Sequence, residues 1–251
     1  MQAIVLNRRP FREYDEIVSL YTYDYGRVEL LAKGNKKMVS KQSAQLEPFS
    51  LVTITIIPGK QIDHLTKAQV VHYFSEIRID GGKSLLAGYA MSLTHHLVGE
   101  RTPDQRIFFA LKSWLEFLVT IPQTPLVVLD AYAMVLMGFL GFTPRLDNCV
   151  ICDQEFKEIA QNILLKKGEK PGMYYAGGGL ICGTCRLLKE RVGEEITVVG
   201  FQELSALAIL VKGDWRLVAA FNLDEAERKQ LHRVVYEFVV YHSEIALRDW
   251  G

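Results

Sequence analysis

The sequence is short of several things, and each shortage removes a class of function. It has no excess of charge: 29 lysines and arginines meet 29 aspartates and glutamates. Any grip on a polyanion therefore has to come from a local patch rather than from overall charge. No apolar run is long enough to span a bilayer; the longest, Leu126–Leu140, is interrupted by Asp130 and reads as a buried core helix. Met1-Gln-Ala-Ile offers neither the basic nor the apolar region of a secretory leader, so none is expected. There is no internal repeat and no low-complexity tract. GxGxxG, Walker A, HExxH and GxSxG are all absent, which removes the familiar dinucleotide, P-loop, metalloprotease and serine-hydrolase sites. Of the histidines, His95 and His96 are adjacent on a helix, where only one can face outward and the other reads as a satisfied core residue. His232 and His242 lie ten residues apart and fall on different faces. No catalytic constellation emerges, so the reading is a binding protein, not an enzyme.

Cysteine is also scarce, but its placement is informative. The four cysteines form two pairs, Cys149-Val-Ile-Cys152 and Cys182-Gly-Thr-Cys185, with 29 residues between them. Each tight turn aims two thiolates at one point, and two such turns complete a tetrahedral zinc site. Two redox motifs, two disulfides or four unrelated buried thiols are the alternatives. Redox fits less well, because such motifs come singly beside a βαβ pattern that is missing here. With four protein ligands no position stays open for water, so the zinc would be structural. Thiols paired for metal, with no leader, place the chain in the cytoplasm.

Along the chain, residues 1–80 read as β. Ala3–Leu6, Ile17–Tyr23, Arg27–Ala32, Leu51–Ile57 and Ile62–Tyr73 are rich in β-branched and aromatic residues, punctuated by Asp24-Tyr-Gly26 and Pro58-Gly59. Five short strands suggest a small barrel, OB-fold or SH3-like, and composition does not separate the two. From about residue 83 the period becomes helical. Leu85, Leu86, Tyr89, Leu93, His96 and Leu97 mark one helix, and Ile107, Phe108, Leu111, Leu115 and Leu118 a second. Thr102-Pro103-Asp104 opens the second, with proline in its first turn, and Thr124-Pro125 opens a third that ends near Gly138–Gly141. Phe201–Leu210 and Asp224–Leu247 are further helices, so the cysteine module, about 145–190, is an insertion in a helical domain spanning 81–251.

Between Arg27 and Lys60 stand Arg27, Lys33, Lys36, Lys37, Lys41 and Lys60, opposed only by Glu29 and Glu47. Lys33-Gly-Asn-Lys-Lys37 follows a strand and has turn chemistry, which makes an exposed basic loop suited to phosphates. Tyr21, Tyr23, Tyr25 and Phe49 are candidates for base stacking. A solvated lysine loop beside core aromatics is the plain alternative. Arg8, Arg9 and Arg12 form a second cluster with Glu13, Asp15 and Glu16 behind it. Arg186, Lys189 and Arg191 form a third, better read as an ordinary charged helix face. Gly177-Gly-Gly179 reads as the turn that feeds the second cysteine pair.

In order and spacing these parts resemble the RecO family of bacterial recombination mediators. The resemblance is carried by Tyr14-Asp-Glu-Ile-Val-Ser-Leu-Tyr-Thr-Tyr-Asp-Tyr-Gly26, Ala32-Lys-Gly-Asn-Lys-Lys37, Leu46-Glu-Pro-Phe49, Gly141-Phe-Thr-Pro-Arg-Leu146 and Gly178-Gly179 before Cys182. It implies an N-terminal OB-fold barrel over 1–80, a C-terminal α-helical domain and the inserted four-cysteine zinc module. It also implies binding of single- and double-stranded DNA, annealing of complementary strands, and help for RecA in displacing SSB, with RecR and the SSB C-terminal tail as partners near the nucleoid. On that basis Lys33, Lys36, Lys37 and Lys41 are the candidate DNA contacts, with Arg8, Arg9 and Arg27 secondary, and Cys149, Cys152, Cys182 and Cys185 the metal ligands. A different class remains beside it: an adaptor whose helical domain docks a partner tail while the barrel is only structural. Two departures from the family pattern stand out. Asn35-Lys-Lys37 replaces a common Ala-Arg-Arg, keeping charge but losing bidentate geometry. Asp153 occupies a position where glycine is frequent.

Overall fold

The five β-rich stretches become five strands: β1 (Gln2–Pro10), β2 (Glu16–Thr22), β3 (Gly26–Ala32), β4 (Leu51–Ile57) and β5 (Asp63–His72). This is a computed structural model, and it describes residues 1–35, 43–164 and 169–251. The strands close into a barrel in the order β1-β2-β3-β5-β4, all neighbours antiparallel except β3 and β5, which run parallel. That order is the OB-type Greek key, which resolves the choice that composition left open. Alternation fills the lumen: Ala3, Val5, Val18, Leu20, Val28, Leu30, Val52, Ile54 and Leu65 are buried together, while Thr53 and Thr55 between them face out. Gly26 sits where only glycine fits, at φ +66° and with a would-be Cβ 2.2 Å from the Thr102 carbonyl.

The chain divides into two compact units, Met1–Thr124 and Pro125–Gly251. The first holds the barrel with α1 (Ser75–Ile79), α2 (Gly81–Leu97) and α3 (Gln105–Thr120). Asp80 and Asp104 cap α2 and α3 by accepting from the backbone N–H of Lys83 and Arg106. Pro103 therefore lies before the cap of α3 rather than in its first turn. All five residues expected on the buried face of α3 are buried, whereas on α2 Leu85 faces solvent, with Leu86, Ala87, Ala90 and Met91 forming the inner face. His95 of α2 is half-buried and meets the Ser19 hydroxyl at 2.9 Å, and His96 is exposed, as the spacing required.

The second unit is built around α4 (Val127–Phe139), buried along most of its length and packed against α7 (Phe201–Leu210), α8 (Trp215–Ala220) and α9 (Glu225–Ser243). Between α4 and α7 the chain makes α5 (Phe156–Leu164), α6 (Gly183–Glu190) and a small antiparallel sheet of β6 (Gly172–Tyr174), β7 (Gly179–Ile181) and β8 (Thr197–Val198). The last helix is shorter than its periodicity predicts. Glu244 turns into the left-handed region at φ +55°, and residues 245–251 leave the helix. Their path is set by side chains: Tyr236 Oη donates to the Leu247 carbonyl, and Trp250 is buried.

Candidate metal centre and nucleic-acid interface

The four thiols meet although their pairs are far apart in sequence. Cys149 and Cys152 lie on the turn that follows Arg145, whose backbone bridges to Gly179 of β7. Cys182 follows β7 at the N-cap position of α6, and Cys185 lies in the first turn of that helix. Gly179 approaches so closely that a Cβ would lie 2.2 Å from the Arg145 carbonyl, which is why the two turns can adjoin. All four Sγ atoms lie within 4.8 Å of one another, and Cys152 and Cys182 are 3.7 Å apart. A tetrahedron with metal–sulfur bonds of about 2.3 Å has edges of about 3.8 Å. The donor set therefore fits a zinc-like ion held by sulfur alone. Cys149, Cys182 and Cys185 are buried and Cys152 is exposed.

The thiols do not ionise alike. Burial opposes ionisation of Cys149, but backbone N–H groups of Cys152, Cys182 and Ile151 aimed at its sulfur outweigh it and bring its pKa down to about 7. The Cys182 N–H makes this bond at 3.3 Å. Burial, and then the neighbouring thiols, push Cys182 and Cys185 upward. Four thiolates packed this closely need a cation among them. Around them Asp153 takes φ +63° and pairs with Arg145, while Asn148 Nδ2 donates to its carbonyl at 3.1 Å. Arg186 belongs to the scaffold rather than to a charged face: it is buried, donates to Glu190 at 2.6 Å and to the Lys170 carbonyl at 2.8 Å. Lys189 lies over the Tyr174 ring at 5.2 Å.

The barrel's cations are placed less simply. Lys33 is exposed in the turn after β3; Lys36, Lys37 and Lys41 lie outside the described residues. Arg8 and Arg9 are successive residues of β1 and point to opposite faces. Arg8 is held by Glu47 at 2.9 Å and by the Ser43 carbonyl at 3.0 Å, with Glu16 at 4.0 Å. Arg9 pairs with Glu29 at 2.9 Å, and Arg27 Nε donates to the Val98 carbonyl at 2.8 Å. Burial and then the Arg27 charge, with a smaller contribution from Arg9, lower the pKa of His95, so these two arginines share its neighbourhood. The arginines thus divide between two faces, each with an internal partner.

The aromatic expectations need correcting. Tyr21 is fully buried, its hydroxyl donating to the Asp104 carbonyl at 2.9 Å, and burial raises its pKa to about 12. Tyr23 packs edge-on against Phe108 and Phe109, and Phe49 lies beneath the Arg78 guanidinium. Of the four, Tyr25 is the one that is half-exposed. Composition missed Phe11 and Tyr14, exposed at 45% and 48% in the β1–β2 loop, with Arg12 over the Phe11 ring at 5.2 Å. Asp15 of that loop accepts the Gly34 N–H at 2.8 Å, and Asn35 donates to Glu16. The two loops are therefore fastened together, with Phe11, Arg12, Tyr14 and Lys33 around the join.

Comparison with known proteins agrees with the arrangement of parts. The pattern of the family described as "Recombination protein O N terminal" matches residues 1–74, and that described as "Recombination protein O C terminal" matches residues 78–251. Similar proteins include the "DNA repair protein RecO" of Nocardioides sp., 30% identical over 99% of this chain and 96% of that protein. Those so named in Desulforamulus reducens and Thermoanaerobacter sp. are 25% and 23% identical, each over 99% of this chain and over 91% and 94% of their own lengths. Among the described residues no helix is long and apolar enough to cross a membrane.

Proposed function

Since the chain belongs to the recombination protein O family, we propose that it is a DNA repair protein that binds single- and double-stranded DNA, anneals complementary strands and assists RecA loading onto SSB-coated DNA. The observation that supports this reading is the fastened loop pair of the barrel, where the Gly34 N–H donates to Asp15 and so ties the turn that carries exposed Lys33 to the loop that carries exposed Phe11, Arg12 and Tyr14. Cations neutralise phosphates, and exposed rings stack unpaired bases without sequence preference. Two strands held on such a surface repel each other less, which favours annealing, and the binding changes no covalent bond.

In this reading residues 1–80 are the nucleic-acid-binding domain, with Lys33, Lys36, Lys37 and Lys41 its main phosphate contacts and Arg9, Arg8 and Arg27 secondary. Residues 81–251 form the helical domain, which docks RecR and the SSB C-terminal tail. The module of about 145–190 holds one structural zinc through Cys149, Cys152, Cys182 and Cys185. The protein works in the cytoplasm, at the nucleoid.

A salt titration of single-strand binding tests the proposal. In the Lys36→Glu/Lys37→Glu variant the slope of log affinity against log salt should fall by about 0.7 for each phosphate no longer neutralised. Phe11→Ala/Tyr14→Ala should weaken binding by about 1–3 kcal/mol per base no longer stacked, leaving the slope in place. An unchanged slope and affinity in the lysine variant refutes the assignment.

A further inference from the structure

A second feature of the Pro125–Gly251 unit is a surface of the opposite charge. A cleft of about 630 Å³ opens between α9 and the segment that leads into β8. Its walls carry Glu194, Glu195 and Glu237 together with Tyr175, Tyr236 and Tyr241. Among the described residues Glu190 and Arg233 complete the charged lining, so four carboxylates line the cleft against one cation, with Arg186 and Lys189 behind Glu190 and Glu194. A cleft of that sign repels phosphate, so nucleic acid is the wrong ligand.

The inner wall is preorganised. Glu237 accepts from Tyr175 Oη at 2.8 Å, from Thr197 Oγ1 at 2.5 Å and from Arg233 Nε at 2.7 Å. Burial opposes its ionisation, but these three donors outweigh it and keep the group charged. The same bonds fix the Tyr175 ring, which lies 6.1 Å from the half-exposed Tyr241 ring at an interplanar angle of 33°. Glu190 is occupied by Arg186 at 2.6 Å. Glu194 has Lys189 only at 4.0 Å, and Glu195 is exposed at the rim. Fixed aromatic faces flanked by carboxylates that, among the described residues, sit in no closer pair suit a planar cation. A guanidinium can stack on a ring while donating two parallel hydrogen bonds to a carboxylate, which an ammonium cannot do.

We propose that this cleft binds an arginine-bearing segment of a partner protein, with the guanidinium against Tyr175 and Tyr241 and its N–H groups on Glu194 and Glu195. This site does not depend on the DNA-binding reading of the barrel.

The test is calorimetric titration of the full chain at low salt with an acetylated Gly-Arg-Arg-Gly amide, its citrulline counterpart, and spermidine as a free polyamine. Binding of the arginine peptide with Kd at or below about 1 mM is expected. It should weaken about fivefold in Glu194→Gln/Glu195→Gln and about threefold in Tyr241→Ala. All three positions lie at the cleft surface, and unchanged thermal melting of each variant confirms that the fold is kept. Equal binding of the citrulline peptide, tighter binding of spermidine, or affinities unmoved by the variants would overturn the proposal. Absence of peptide binding at about 10 mM would do the same.

Discussion

At the scale of the residue, Asp153 shows how closely the metal turn is drawn. Its φ of +63° is uncommon for a residue with a Cβ, and its N–H donates to the Cys149 carbonyl at 3.0 Å. Aspartate tolerates the left-handed region better than most residues, and here it also pairs with Arg145. Asp153→Ala keeps the steric cost and loses the pairing, so it should lower stability by about 1 kcal/mol in thermal unfolding. Asp153→Gly removes the steric cost and should leave the melting temperature near that of the parent. The resemblance to the family marked this position, as one where glycine is frequent.

The partners of Asp130 were not legible in the same way. Asp130 interrupts an apolar run and is 2% exposed, and it accepts from both His232 Nδ1 and Trp250 Nε1 at 2.8 Å. These partners are 102 and 120 residues away, beyond any local pattern.

At the scale of the element, that cluster decides where the final segment goes. His232 of α9 bridges Asp130 of α4 and Asp249 of the tail, with 2.8 Å on each side. Burial disfavours its charge, but bonds to the two carboxylates outweigh burial and raise its pKa to about 9. A histidine whose folded pKa lies above its ordinary value of about 6.5 adds stability that is complete below pH ~6.5 and fades as pH rises toward ~9. Stability measured by denaturant unfolding should therefore decline over that interval, by on the order of 3 kcal/mol. His232→Ala should abolish the decline and cost about 3–5 kcal/mol at neutral pH, because Asp130 is left buried without its cation.

Elements with a clear period were legible. Every barrel strand, α3 and α7 appear within a few residues of their expected positions. What escaped was short or tertiary in origin: β6, β7 and β8 carry too few residues to show a period, and α9 stops at Ser243 although Ile245 continues its apolar spacing. Trp250 is buried against His232 and Tyr236 and donates to Asp130, and docking it there requires the chain to turn back.

At the scale of the whole molecule, chemistry is segregated. The four-cysteine cluster, the Asp130–His232–Asp249 cluster and the acidic cleft all belong to Pro125–Gly251, while the basic and aromatic loops belong to Met1–Thr124. Loss of metal should therefore act on stability rather than on the salt dependence of DNA binding. A Cys149→Ser/Cys182→Ser chain should contain no zinc, against about one per chain in the parent, and should lose helical content at lower temperature. Isolated finger peptides draw about 10–16 kcal/mol from such an ion. The loss here should be smaller, because α4, α7 and α9 also hold the unit together. Retention of full thermal stability after metal removal would contradict the structural role.

The closure of the N-terminal sheet has one more consequence. Because β5 pairs with both β3 and β4, and β1 with both β2 and β4, every strand of the ring has a neighbour on each side, although β3 and β5 share only Leu30–Asp63 and Leu31–His64. A partner reaching this part of the molecule meets short stretches of strand edge between side chains and loop tips, so recognition through the latter is favoured over annexing a strand. The same pairing limits the length of edge along which neighbouring copies of the barrel could zip together when many gather in one place.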